Sequence, residues 1–145
     1  MKIVLWVILG VIVFGFVGFF YLGQKSQKAS PLGLIDGKLA QCPASPNCVS
    51  SELGTDDKKF VLSFSPEHWE KLADAIAATG GVVTSATDSY IAATYTSKIF
   101  KFVDDLEFRK ADDTVHVRSA SRVGYSDRGE NAARVDILRT VVENY

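Results

Sequence analysis

Ile3 to Leu22 reads IVLWVILGVIVFGFVGFFYL, 20 residues without a charge. No other stretch constrains the chain as strongly, because a helix of that length extends about 30 Å, the thickness of a bilayer's hydrocarbon core. Trp6 stands near one end and Phe19, Phe20 and Tyr21 near the other, where an interfacial aromatic belt has them. A buried soluble helix is the competing reading, but such helices are seldom apolar on every face over this length. The run is also long for the apolar part of a signal peptide. The YLGQKSQKAS that follows has no obvious small-x-small cleavage pattern, and no Cys lies close enough behind the run to accept a lipid. The expectation is an uncleaved single-pass anchor over residues 1–23. Gly10, Gly15 and Gly18 make no GxxxG pair, so helix dimerisation is not implied.

Residues 24–38 are small and polar, with Ser30-Pro31 and Asp36-Gly37, and read as a linker lifting a domain off the membrane. Residues 39–145 are a one-domain length. Net charge is −1, from 16 basic and 17 acidic residues, with no polybasic block, so nothing electrostatic points to nucleic acid. Orientation is contested within the sequence. Lys2 and the amino terminus on one side nearly balance Lys25 and Lys28 on the other, leaning slightly toward a cytoplasmic domain.

The cysteines argue the other way. Cys42 and Cys48, the only two, flank a turn-rich loop containing Pro43 and Pro46, which can bring their Cα atoms within disulfide range. A bridge over so short a loop stabilises by about 2–3 kcal/mol in the chain-entropy model and implies an oxidising, extracytoplasmic compartment such as the periplasm. Two readings stay open beside it. One is a pair of free buried thiols. The other is a metal site shared with His68 and His116, which lack the short spacing of a zinc motif. The spacing is not CxxC, so a thioredoxin-like role has little support.

Phe60, Leu62 and Phe64 alternate with Val61 and Ser63 as a short strand would. Ser65-Pro66-Glu67 has the order of a helix start, with Ser65 as cap. Trp69, Leu72, Ala73, Ile76 and Ala77 form one apolar helical face that Gly80-Gly81 ends. Val82–Ala86 and Tyr90–Thr96 read as strands about a Thr87-Asp88-Ser89 turn, and 102–109 with 115–122 as a second hairpin. With Ala111 opposite Thr114, Phe108 meets Val117 and Leu106 meets Ser119 on one face, while Glu107 meets Arg118 and Arg109 meets His116 on the other. Asp104 and Ser121 then fall on the apolar face, the odd feature of the hairpin. Ser126-Asp127 opens the last helix, Asp127 and Glu130 have capping-box spacing, and Asn131, Val135, Leu138 and Val142 make its inner stripe. The fold class expected is α+β: a two-layer sandwich, mainly antiparallel sheet with two helices on one face, preceded by one transmembrane helix.

Two stretches go beyond generic folding signals: CPASPNCVSS from Cys42, and RSASRVGYSDRG from Arg118, continuing through Asn131, Arg134 and Val135. With KIFKFVDDLEF from Lys98 they resemble the family called domain of unknown function 1499, from about Leu39 to Leu138. The resemblance implies one domain, often attached to a membrane, and transfers no catalytic residue.

The ligand-binding residues expected are Arg122, Tyr125, Ser126 and Asp127, just before a helix N-terminus, together with Asp104. Free N–H groups and the helix dipole there favour a carboxylate, a phosphate or a lipid headgroup. The same residues also serve as a strand-to-helix turn, with Gly124 permissive, Asp127 capping and Arg122 paired to Asp104 or Asp105. Alternation puts Asp105 and Glu107 on one face and Asp104 on the other, so three carboxylates cannot converge on a hard cation from this strand alone. No GxSxG or phosphate loop is present, and no catalytic residue, cofactor or metal is expected. Phe100, Phe102, Phe108 and Tyr95 read as core. The functional expectation is a non-catalytic module binding a small amphipathic ligand or an envelope protein. A hydrolase using Asp104, Arg122 or His116 and a purely structural envelope domain are the alternatives.

Overall fold

The computed structural model describes residues 2–145. Helix α1, Lys2–Gln27, contains the whole apolar run and continues five residues past Leu22. It is long and apolar enough to cross a membrane, and its apolar window is not buried by the rest of the chain.

Beyond α1 the fold is α+β, as expected. A small hairpin, β1 (Leu34–Ile35) and β2 (Lys38–Leu39), precedes β3 (Cys48–Ser50). A 3₁₀ segment, Pro66–Lys71, runs into α2 (Leu72–Ala78); then come β4 (Val82–Ala86), β5 (Tyr90–Thr96), β6 (Val103–Lys110), β7 (Val115–Ser121) and α3 (Glu130–Glu143). The main sheet is antiparallel throughout, in the order β3-β7-β6-β5-β4. The β6–β7 register is the one read from charge and apolar matching: Phe108 opposite Val117, Leu106 opposite Ser119, Glu107 opposite Arg118 and Asp104 opposite Ser121.

Four local expectations are corrected. Residues 60–64 form no strand. Phe60 bridges only Ser50 and Phe64 only Val115; the β7 edge at Arg118 to Ala120 is taken by β3, a strand too short to show a period in the sequence. Leu62 is consequently exposed. Ser65 makes no side-chain cap; its carbonyl receives the His68 N–H instead. The apolar face that follows contains Trp69, Leu72, Ala75 and Ile76, whereas Ala77 is exposed. A 3₁₀ turn holds three residues, so the first turn moves the buried stripe off the 3.6-residue phase. The last helix begins at Glu130, not at Ser126-Asp127: Arg128 and Gly129 occupy the left-handed region (φ 57° and 87°) and turn the chain into it. Its inner stripe is buried as read, at Asn131, Val135, Leu138 and Val142.

α2 and α3 cover one face of the sheet. Ile91, Ala93, Leu106, Phe108, Val115 and Val117 meet Leu72, Ile76, Val135 and Leu138 there, all buried. Phe108 and Tyr95 belong to this core, but Phe100 and Phe102, expected in it, do not. They stack on the end of α1, with Phe100 5.5 Å from Phe16 and 5.3 Å from Phe19 between ring centroids. The stretch read as a linker is not free of the domain either. Ser26 is buried and accepts the Val103 N–H, and Gly33 donates to Glu107 at 2.8 Å. The reason is chemical: the sheet's second face carries buried charge, and the backbone of residues 26–39 supplies part of what satisfies it.

Candidate functional site

The residues singled out in the sequence divide among three environments. Arg122 closes the end of α1. Its Nε and Nη2 grip Asp105 at 2.7 to 3.0 Å, and its Nη1 donates to the carbonyls of Ser26 (3.1 Å) and Ala29. Ser26 stands in the last turn of α1 and Ala29 just beyond it, at the end of a helix that favours a cation. The guanidinium is thereby directed at protein partners and lines neither cavity described below.

Asp104 and Ser126 line a cavity of about 260 Å³ between α1 and the turn after β7. Its apolar lining is Phe19 and Leu22 from α1, Phe102, Val103 and Val123. Its polar lining includes Ser121, Ser126, Asp104, Asp127 and Glu130. Asp104 is fixed by Arg134 of α3 at 2.7 Å, which accounts for a carboxylate on the helix-covered face. Arg134 also donates to Ser119 and Asn131 and stacks on Tyr95, 4.5 Å from the ring centroid.

Tyr125 is 77 % exposed and lines a different, more polar cavity of about 430 Å³, with Pro46, Asp56, Lys58 and Lys59. Asp127 stands in the walls of both. It accepts the N–H groups of Gly129 (3.1 Å) and Asn131 (2.8 Å) and the side-chain amide of Asn131 (2.7 Å), the work of a cap done from just before the N-cap residue Gly129. Burial alone raises its pKa; these donors, the Asn131 N–H foremost, outweigh it and hold the group below its ordinary value.

Asn131 and Asn47 tie the two distinctive stretches together. Asn131 donates to Asn47 O (3.1 Å) and Ser121 Oγ (3.1 Å), and Asn47 donates to Gly124 O at 2.8 Å. Asn47 itself sits inside the loop closed by the Cys42–Cys48 disulfide, so the bridge pins the residue that positions the turn after β7.

On the sheet's other face, Glu107 is fully buried, receiving Arg118 (3.1 Å), Tyr90 (2.7 Å) and the Gly33 N–H. Tyr90 is pushed far above the ordinary phenol range by burial first, then by this bond and by the charges of Glu107 and Asp105. Glu52, which the sequence did not single out, is 2 % exposed and takes two bonds from Arg109 (2.8 and 3.1 Å) and one from the Leu39 N–H. Burial raises Glu52, but the Arg109 bonds, the Leu39 N–H and the charges of His116 and Arg109 together hold it below its ordinary value.

The trio Asp104, Arg122 and His116 does not converge. Asp104 faces the helices, while Arg122 and His116 belong to the opposite face. His116 Nδ1 lies 3.4 Å from Ser51 Oγ, 3.1 Å from Ser51 O and 4.0 Å from Glu52. One nitrogen meets both neighbours, whereas a base relaying a proton uses its two nitrogens separately. Ser51 is buried, its Oγ holding the Val117 N–H at 2.8 Å. His68 lines neither cavity, and its Nδ1 has no partner. Among the described residues no three of His, Cys, Asp and Glu gather as metal ligands.

Residues 38–142 match the family model described as a protein of unknown function, DUF1499, and the chain belongs to that family. Comparison with curated proteins and with solved structures gives no match.

Proposed function

We propose that the chain is a single-pass membrane protein whose domain stands on the extracytoplasmic side and holds a small amphipathic molecule without transforming it. The observation that carries this is the cavity between α1 and the turn after β7. Its lining combines apolar side chains, two of them from the helix that would cross the bilayer, with Asp104, Ser126 and Asp127. A molecule lying there keeps its apolar part against Phe19 and Leu22 and its head against hydrogen-bond acceptors. With Arg122 turned to Asp105, the wall offers carboxylates and hydroxyls, which suits a head that donates: an ammonium or a polyol. The disulfide favours the oxidising side of the membrane.

The test is the mass of the full chain released from detergent micelles, first under native and then under denaturing conditions. Extra mass, lost on denaturation and lost also in Ser126→Trp, is the expected result. A bare chain whose variant unfolds at the same denaturant concentration as the wild type sinks the ligand reading and hands this face to an envelope protein.

A further inference from the structure

The loop joining β5 to β6, residues 97–102, reads SKIFKF. Ile99 is 75 % exposed and both lysines are exposed, yet the loop is held along α1. Phe100 packs on Phe16 and Phe19, and Phe102 stands 6.2 Å from Phe19. The backbones touch as well: a Cβ at Gly23 would collide with the Phe100 carbonyl oxygen.

These contacts set a depth. Phe19 and Phe16 precede Leu22, the end of the apolar run, by one and two turns, which places the Phe100 ring about 5–9 Å inside that end at 1.5 Å per residue. Charge agrees with depth. Residues 1–35 and 89–103 contain no Asp or Glu, while Lys25, Lys28, Lys98 and Lys101 lie at the end of α1 and on the loop.

We infer that residues 97–102 are a second membrane contact: Ile99, Phe100 and Phe102 enter the boundary between headgroups and acyl chains, and Lys98 and Lys101 reach back to anionic headgroups. This rests on the reading of α1 as a membrane anchor, proposed above. Phe102 also lines the cavity beside α1, so the loop sets that cavity at headgroup level.

The full chain is reconstituted into vesicles of phosphatidylcholine and phosphatidylglycerol carrying bromine at known acyl depths. Two single-indole forms are compared. One keeps only Trp6 of α1, through Trp69→Phe. The other carries Ile99→Trp with Trp6→Phe and Trp69→Phe. Both indoles losing fluorescence, with the one at position 99 quenched most by bromine nearest the headgroups and less so when Lys98→Glu and Lys101→Glu are added, is the expected result. A quenched Trp6 beside an unquenched, water-like indole at position 99 overturns the loop contact and leaves the anchor standing. An indole there that is shielded from water but untouched by bromine means a second protein copy covers the loop, and also overturns it. An unquenched Trp6 removes the anchor, and the loop contact with it.

Discussion

On one side of the sheet, Leu106, Phe108, Val115 and Val117 meet α2 and α3 in an apolar layer, with the Asp104–Arg134 pair at its margin. On the other, Glu107, Arg118, Asp105 and Glu52 are just as buried, held by side-chain partners and, in part, by backbone groups of Gly33, Leu39 and the end of α1. The first face is stabilised roughly in proportion to area, whatever the exact residues. The second is stabilised only while every charge keeps its partners, since an uncompensated buried charge costs more than the pair contributes. Two faces of similar burial therefore respond to damage in different ways.

The sharpest way to break the comparison is to truncate each face in turn. Arg118→Met, which strands Glu107, is expected to cost about 3–5 kcal/mol; adding Glu107→Leu should recover part of it. Phe108→Ala should cost a similar ~3–5 kcal/mol through lost burial and the cavity left behind, with no charge change able to restore it. Denaturant unfolding of the full chain in mild detergent measures all three, and a double variant no better than Arg118→Met would erase the distinction. Next in size, Cys42→Ser with Cys48→Ser should cost about 2–3 kcal/mol and loosen the turn held by Asn47, which amide exchange at Gly124 and Ser121 would report. Asp127→Ala should cost about 1 kcal/mol, a lost cap, while leaving the polar face's exchange rates unchanged. The smallest effect is in pH. Glu52 and Asp127 have folded-state values below their ordinary 4.5 and 3.8, so the unfolded chain takes up their protons first. Their contribution is complete above the ordinary values and is lost as pH falls through the depressed ones. Unfolding midpoints should be level from neutrality to about pH 5 and drop below it. Asp127→Asn should shallow that drop, and an unchanged slope would contradict the assignment.

What could be read in advance follows from how local each signal is. The β6–β7 register and the α3 stripe were legible because a period of two and a period of 3.6 each sort neighbouring residues. The covering of the polar face was not, because Glu52 and Arg109 are 57 residues apart and neither stands in a periodic segment with the other. The site was half legible. Asp104 stands out as odd on an apolar face, but the cation the sequence offers for it is Arg122, whereas Arg134 of α3 is the one that holds it. Arg122 reads both as an anion binder and as the partner of Asp104 or Asp105; Asp105 is the partner it has, and what nothing local reveals is that carbonyls at the end of α1 take up its remaining donor.

The edge strand β3 has a consequence in time. Its partners on β7, Arg118 to Ala120, follow Cys48 to Ser50 far along the chain and are synthesised well after them. The short cysteine loop can close by itself, but the strand it holds has nothing to pair with until the last hairpin arrives. A chain interrupted before residue 118 therefore displays an unpaired strand edge, a template for pairing with another chain.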